Sequence, residues 1–323
     1  MLKLTLGRFL QGIVVLLVVS MLTFTLLAAA GGDALTALRT DPVVSEETIQ
    51  GQARIYGLDQ PLPVRYARWL VDMTRGRMGE SLFFHAPVWT ILRPRLLNTI
   101  GLAALALLMA WGVALALGFL AARRPGSWID RLCGVVILLT ASTPRIVLAL
   151  LALAITARSS FLVIGDGAKR INAGGSLVRL LLPALVLCVP LVALFLAQAR
   201  DAMRLALAEE FVQVARAKGL PERVIVWRHA LRAALNPLIT IFGSSLGGVL
   251  SGSVIVETVF GWPGLGQLSV VAVRSRDVPL LMGVVMLTAI AVLVGNMIAD
   301  LLLRFNDPRL RRDEAKLMSV SST

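Results

Sequence analysis

The sequence predicts an all-α integral membrane protein with six transmembrane helices, and three observations carry this prediction. The chain of 323 residues is 57% hydrophobic and only 16% charged, whereas a soluble domain carries about 25% charged residues. Its apolar residues form runs long enough to cross the ~30 Å hydrocarbon core of a bilayer. Its basic residues lie between these runs, so the net charge of +13 indicates membrane orientation signals rather than a nucleic-acid-binding face.

The first apolar run covers residues 9–30. It is longer than the ~7–15-residue core of a cleaved signal peptide, so we expect it to remain as the first span. Basic residues precede it and predict a cytoplasmic N-terminus. The long polar segment 31–97 would then form a small extracytoplasmic lobe. Within this lobe, residues 45–56 and the second half of 57–73 predict surface helices.

Five further apolar runs predict the remaining spans. They are residues 98–122, 132–157, 180–199, 238–260 and 280–303. The predicted organisation is therefore an N-terminal end with the first helix, the lobe, a five-helix core and a cytoplasmic tail, with boundaries at 1–30, 31–97, 98–303 and 304–323.

Two details of these runs bear on function. Pro144 lies inside the third run and is followed by Arg145. Arg145 is either a charge within the membrane, or a side chain that snorkels to the interface or sits in a protein-lined cavity. Residues 261–278 predict an outer loop or a re-entrant segment between the last two spans.

The stretch between the fourth and fifth spans, residues 204–237, predicts a helix–turn–helix. Gly219 can take the left-handed conformation that ends a helix, and Pro221 can begin the next helix at its first position. A solvated loop would not keep an apolar stripe at helical spacing, so the stripe predicts a docking surface. It consists of Leu205, Ala208, Val212, Ala215 and Gly219, with Phe211 alongside.

Enzyme motifs are missing from the sequence. Only two histidines, His85 and His229, are present, so a histidine metal cluster cannot form. Cys133 and Cys188 lie in apolar runs and imply no disulfide framework. The chain has no phosphate-loop motif and no zinc-protease or nucleophile-elbow motif. We therefore predict no catalytic residue, no bound metal and no ATP hydrolysis by this chain.

A series of short motifs follows one another along the chain. They are GLDQPLPVRYARWL at 57–70, GRMGES at 76–81, Asn98-Thr99, LLPAL at 181–185, ARAKGL at 215–220, RHAL at 228–231, Asn236-Pro237, VIVETVFGWPGLGQL at 254–268, RSRDVPL at 274–280, GNMIADLL at 295–302 and NDPRLRR at 306–312. In this order they resemble the dipeptide/oligopeptide/nickel permease family of ABC transporters.

The resemblance implies a type I ABC importer permease. Such a subunit pairs with a homologous second permease and two ATP-binding subunits, and an extracytoplasmic substrate-binding protein delivers its cargo. No cofactor would bind to this chain, because ATP and Mg²⁺ would bind to the partner subunits. The implied location is the bacterial inner membrane, crossed several times, with both termini in the cytoplasm.

Segment 204–237 would then be the coupling loop, which sits in a cleft of the ATPase and follows its closure. Gln213 stands where the general coupling motif has Glu, and Phe211 where Tyr is common. Neither difference threatens the role, since docking depends mainly on apolar shape and the glycine turn. The residues expected to carry coupling are Phe211, Val212, Ala215, Arg216, Ala217, Lys218, Gly219, Leu220 and His229.

The fifth span carries small residues at intervals of four, which let helices approach closely in lipid. They predict either a seam with the partner permease along the pathway or packing inside this subunit. Glu257 would contact the amino terminus of a peptide or pair with Arg274 or Arg276. The candidate pathway or seam residues are Gly243, Gly247, Gly248, Ser251, Glu257 and Asn296.

The expected function is that of the membrane permease in an ATP-driven importer of peptides, which works by alternating access. Within the same family, the alternative cargoes are a nickel complex, glutathione or another small solute. From a different class, the alternative is a stand-alone secondary transporter or channel, which would carry inverted repeats with broken helices or rings of intramembrane charge. An intramembrane enzyme is disfavoured by the missing catalytic motifs.

Overall fold

The structure, a computed structural model, describes residues 2–29, 47, 50–51, 60–158 and 174–306. These residues include five helices long and apolar enough to cross a bilayer, and a pair of shorter helices that would together form a sixth crossing. This confirms the predicted all-α membrane architecture. The surface helix predicted at 45–56 and the tail beyond 306 fall largely outside the described residues.

Helices make up almost all of the described structure. In chain order the elements are α1 (Leu2–Ala29), α2 (Leu62–Thr74), β1 (Glu80–Ser81), β2 (Ala86–Pro87), α3 (Val88–Arg123), α4 (Trp128–Ser142), α5 (Arg145–Arg158), α6 (Gly174–Ala208), α7 (Glu210–Ala217), α8 (Glu222–Val224), a π-helical turn (Ile225–Ala230), α9 (Leu231–Phe260), α10 (Leu265–Arg274) and α11 (Val278–Asn306). The short strands pair antiparallel, with Ser81 opposite Ala86. Contacts group the chain into two compact units.

The first unit comprises Met1–Ile100 and Trp262–Leu293. Its core joins the start of α3 to α10 and the first half of α11. Gly283 makes a close approach possible, because a Cβ there would lie 2.8 Å from both Leu92 Cδ1 and Val88 Cγ1. The buried core residues are Val88, Leu92, Leu265, Leu268, Ala272, Leu280, Leu281, Val284 and Leu287.

A fully buried carboxylate, Asp277, ties the hairpin of this unit to α11. One oxygen accepts the backbone N–H of Leu280 at 3.0 Å, which caps the first turn of α11. The other accepts the hydroxyl of Ser81 at 2.5 Å and the backbone N–H of Phe83 at 3.1 Å. The motifs GRMGES and RSRDVPL, far apart in sequence, therefore meet at this carboxylate.

The Asn98-Thr99 motif stabilises the start of α10 in the same unit. The backbone N–H of Leu265 donates to Thr99 Oγ1 at 2.8 Å. The side-chain amide of Asn98 donates to the carbonyl of Pro263 at 2.8 Å. Residues 261–278, predicted as a loop or re-entrant segment, thus contain the ten-residue helix α10.

The second unit comprises Gly101–Gly261 and Val294–Thr323, and it contains the broken third span. α4 ends at Ser142, α5 begins at Arg145, and the two helices are bent by 97°. The span predicted over 132–157 is therefore broken between Ser142 and Arg145, and the pair is either one broken span or a re-entrant loop. Proline has no N–H to donate and disfavours helical geometry in the residue before it, so Pro144 ends α4 and starts a new helix.

Other helices also extend beyond their predicted spans. α3 begins at Val88, although the span was predicted from residue 98. The helical run Glu222–Phe260 is continuous, although a separate arm and a span from 238 were predicted, and Pro237 lies inside it. Asn306 supports this region, since its amide donates to the carbonyl of Arg232 at 2.9 Å and to Asn236 Oδ1 at 2.6 Å.

An ion cluster joins α4 to α6 within the second unit. Asp130 is 7% exposed, and its Oδ1 lies 2.9 Å from Arg200 Nε and 2.6 Å from Arg204 Nη2. Its other oxygen accepts the backbone N–H of Gly126 at 2.9 Å. The interactions with two guanidinium groups and a backbone amide offset much of the free-energy cost of removing this carboxylate from water.

We expect Asp130→Ala to destabilise the protein, because it leaves the guanidinium groups of Arg200 and Arg204 without their carboxylate. The free energy of unfolding should fall by about 2 kcal/mol, the scale of a lost hydrogen bond to a charged group. Thermal unfolding of the purified protein measures this change. Asp201→Asn is the control, since Asp201 is exposed on α6, the helix that carries Arg200 and Arg204. Equal melting temperatures for the parent and Asp130→Ala would show that the cluster does not hold α4 to α6.

Candidate functional site

The candidate site is segment 204–237, in which α7 packs back onto the chain's own second unit. α6 ends at Ala208, and Glu209 takes an extended backbone conformation before α7 begins. Val212 and Ala215 point from α7 into a core formed by α6, the π-helical turn and the end of α3. The members of this core are Ala122, Ala202, Met203, Ala206, Val212, Ala215, Ile225, Ala230 and Ala234.

This packing corrects the predicted docking stripe. Val212 is 0% exposed and Ala215 is 7% exposed, whereas Leu205 is 71% exposed. The break at Glu209 changes the helical phase, so residues before and after it do not form one stripe. The side chains of Val212 and Ala215 support the segment from inside and are not available to a partner.

The outward surface of the segment is apolar at other positions. Phe211 and Val214 on α7, Leu220 after the turn and Trp227 in the π-helical turn are exposed large hydrophobic residues. Ala217 and Lys218 are also exposed, and His229 is half-buried in the π-helical turn. Large hydrophobic side chains beside a membrane-embedded core are typical of a protein-binding surface.

Gly219 makes the turn between the two arms. Its φ is +75°, which confirms the predicted left-handed conformation. Its N–H donates to the carbonyl of Arg216 at 2.9 Å, and the N–H of Leu220 donates to the carbonyl of Ala215 at 3.3 Å. This pair of bonds is a Schellman motif. Pro221 was predicted at the first position of the next helix, but it occupies the N-cap, one residue earlier.

An ion pair closes the two arms onto each other. The guanidinium of Arg216 donates to both carboxylate oxygens of Glu222, at 2.8 Å from Nη2 and 3.2 Å from Nε. This hydrogen bond raises the pKa of Arg216. Such a two-point contact fixes the orientation of the arms more than it stabilises them, because both side chains are exposed.

A basic cavity of about 310 Å³ lies beside this ion pair. It is bounded by the end of α3, the start of α4, α6 and the two arms. The lining residues are Leu120, Arg123, Arg124, Ile129, Leu207, Arg216, Glu222 and Val226. The guanidinium of Arg123 also lies 5.6 Å from the ring centre of Phe119.

The predicted pathway residues do not form one surface. A Cβ at Gly243 would lie 2.7 Å from Ala299 Cβ and 3.6 Å from Asn296 Oδ1, so Gly243 packs inside the chain against α11. Gly248 and Ser251 are exposed. Gly247 is half-buried, and Glu257 is completely buried.

Arg145 contributes to this region from the broken third span. Its Nη1 donates to the carbonyl of Gly248 at 3.1 Å. Its guanidinium lies against Gly252, where a Cβ would overlap it. The sequence identified Arg145 as a candidate membrane charge but gave no signal for its partners, which lie about a hundred residues further along the chain.

Two further groups were not singled out from the sequence. Asp277 and the Asp130 cluster each join segments that are distant in the chain. From the sequence, Asp130 and Arg131 were expected in a short inner loop, whereas the structure places both in the first turns of α4. Because ion partners at long separations leave no local pattern, only the structure reveals them.

Comparison with known proteins covers nearly the whole chain. Residues 114–312 match the family described as binding-protein-dependent transport system inner membrane component, and residues 1–103 match its N-terminal counterpart. The chain is 34% identical to the oligopeptide transport system permease protein AppB of Bacillus subtilis, over 94% of this chain and 97% of that protein. It is 33% identical to the probable D,D-dipeptide transport system permease protein DdpB of Escherichia coli K12, over 91% and 93%.

We expect Gly219→Ala to loosen the turn between the arms. A left-handed conformation costs a residue with a Cβ about 1 kcal/mol, so the hydrogen bonds to Arg216 and Ala215 should open more often. Hydrogen exchange at the amides of residues 219 and 220 should become faster. Gly101→Ala is the control, because nothing lies within 4 Å of a Cβ there and Gly101 has no positive φ. Unchanged exchange in Gly219→Ala would contradict a role for the left-handed turn.

Proposed function

Because the chain belongs to the family of binding-protein-dependent transport system inner membrane components, we propose that it forms, with a homologous second permease, the translocation pathway of an ABC importer for peptides. The peptide cargo is inferred from the names of its relatives AppB and DdpB. The observation that carries the coupling role is the exposed apolar surface of segment 204–237, which is held on the chain's own core.

Energy for transport comes from partner subunits in this proposal. The chain carries no phosphate-loop motif, so ATP and Mg²⁺ bind to two ATP-binding subunits. An extracytoplasmic binding protein delivers the cargo. The chain itself lies in the inner membrane with both termini in the cytoplasm, which the basic residues flanking its spans support.

The docking surface consists of Phe211, Val214 and Leu220. They are exposed, while Val212 and Ala215 behind them anchor α7 to α6 and the π-helical turn. The Schellman turn and the Arg216–Glu222 pair restrict the arms before a partner binds. A preorganised apolar surface loses little conformational entropy on docking, which favours binding.

The same packing gives a route for transmitting ATPase closure. α7 rests on α6, and the second arm continues without a break into α9. A displacement of the arms therefore moves two membrane-crossing helices together. Alternating access then follows from rocking of these helices, which opens the pathway to one side of the membrane at a time.

The seam with the second permease is assigned to the exposed face of α9. Gly248 and Ser251 lie on that face and allow another helix to approach closely. Gly243 serves internal packing against α11. Roles for Gly247, Glu257 and Asn296 in the pathway remain predictions.

A stand-alone transporter is the second candidate, and the broken third span is the observation that favours it. Discontinuous helices are typical of secondary transporters, where their ends bind substrate or ions. Family membership and the apolar docking surface favour the ABC importer, since a stand-alone transporter has no use for a motor-binding surface.

We expect Val214→Asp to uncouple the transporter. A carboxylate on the docking surface would be desolvated without a partner when an ATP-binding subunit docks, which costs free energy. The ATP-binding subunits should therefore dissociate, and ATP-dependent peptide uptake should be lost. Co-purification and uptake into proteoliposomes measure the two effects.

The matched control is Val71→Asp on α2. Val214 is 52% exposed and Val71 is 47% exposed, so the same charge is added at similar cost to folding. Val71→Asp should retain the ATP-binding subunits. Retention of these subunits and of uptake by Val214→Asp would refute the docking role.

A further inference from the structure

We propose that Arg145 binds the terminal carboxylate of the transported peptide. This inference rests on the proposed peptide cargo and adds a recognition site that family membership does not supply. The argument uses the position of the guanidinium, its incomplete set of partners and the open space beside it.

The guanidinium is held in place by backbone rather than by a carboxylate. Its Nη1 donates to the carbonyl of Gly248 at 3.1 Å. Among the residues that the structure describes, Arg145 has no acidic partner. A guanidinium offers five N–H donors in a planar fork, so most of its donors remain available to a ligand.

The chain leaves the space for this side chain at Gly252. A Cβ at that position would overlap Arg145 Nη1 and would lie 2.7 Å from Cζ. Gly248, one turn earlier, has nothing within 4 Å of its own Cβ position and is exposed. One glycine therefore accommodates the arginine, while the other lies on the exposed face of α9 that would border the pathway.

The break in the third span adds a second source of positive potential. Arg145 is the first residue of α5, and the backbone N–H groups of a helix N-terminus attract anions. The break puts this N-terminus at Arg145 itself, so the same residue carries the guanidinium and begins the helix. An anion bound there would meet both.

Depth in the membrane places this site away from the coupling side. Ser142 lies twelve residues after Asp130 along α4, which corresponds to about 18 Å of helix. Gly248 lies sixteen residues after Arg232 along α9, or about 24 Å. Both helices thus put Arg145 about 18–24 Å along their axes from the ends that carry Asp130 and Arg232, on the side away from segment 204–237.

A carboxylate is the anion that fits this arrangement. Guanidinium and carboxylate groups match in a planar, two-point contact. Every unmodified peptide carries a terminal carboxylate whatever its side chains, so recognition at this group suits a peptide importer. Charge at this depth is costly in a chain that lacks a use for it, which favours a functional role over simple packing.

The test compares uptake of one peptide as its free acid and as its carboxyl-terminal amide. The assembled transporter is reconstituted in proteoliposomes with its binding protein, and the ratio of acid to amide uptake is measured for each variant. Selectivity of the binding protein enters every ratio equally and cancels between variants. We expect Arg145→Gln to lower the ratio about tenfold, the effect of losing a charge-assisted hydrogen bond.

Two glycine variants separate ligand binding from folding. Gly252→Ala should lower the ratio as Arg145→Gln does, because it displaces the guanidinium while keeping its charge. Gly101→Ala on α3 should leave the ratio unchanged, since nothing lies within 4 Å of its Cβ position. Arg145→Lys should give an intermediate ratio, because an ammonium keeps the charge but loses the two-point contact.

Several results would overturn the inference. An equal loss of acid and amide uptake in Arg145→Gln would assign the residue to packing. An unchanged ratio together with uptake that depends on anionic lipid would assign it to a lipid phosphate. If the parent transporter takes up neither peptide, the proposed function fails and this inference fails with it, whereas parental uptake with an unchanged ratio refutes the inference alone.

Discussion

The carboxylate of Asp130, buried between Arg200 and Arg204, is the interaction on which the second unit depends. It fixes α4 to α6 just before α6 reaches segment 204–237. From Ala202 to Ala206, α6 then supplies the apolar surface that buries Val212. Buried ion pairs add little net stability, but an incorrect alignment of α4 and α6 would leave charges unpaired. The cluster therefore specifies the position of α6, and α6 positions the two arms of segment 204–237.

Rigidity of the arms is what would make their apolar surface useful for the proposed coupling. Phe211, Val214 and Leu220 project from a short helix and a turn that would be unstable alone. The short helix and the turn are held in place by three features. These are the buried residues Val212 and Ala215, the left-handed turn at Gly219, and the Arg216–Glu222 ion pair. Because the second arm continues into α9, the surface that would meet a motor is joined covalently to a membrane-crossing helix.

Much of this arrangement could be predicted from the sequence, because its signals are local. Apolar runs predicted the spans, and Lys-Gly-Leu-Pro predicted a left-handed Gly219 between two helices. The 97° break within the predicted third span could not be predicted, because an apolar run in the sequence indicates hydrophobicity but not the direction of the chain, which Pro144 changes. The docking stripe was misassigned because Glu209 interrupts the helical phase between Leu205 and Val212.

Contacts between distant segments could not be predicted in the same way. Arg145 with Gly248 and Asp277 with Ser81 depend on tertiary packing, and a single sequence carries no pattern for them. The small residues of α9 illustrate the limit. Their spacing predicts close approach, but only the structure distinguishes Gly243, which packs against Ala299, from Gly248, which faces open space.

The most direct test of the account places a photoactivatable amino acid at position 211 of the assembled transporter. Phe211 lies on the outward surface of α7, so irradiation should cross-link it to an ATP-binding subunit. The same probe at buried position 212 should react within the chain itself. Cross-links from position 211 only to lipid or to this chain would contradict the claim that segment 204–237 is the surface through which ATP hydrolysis drives transport.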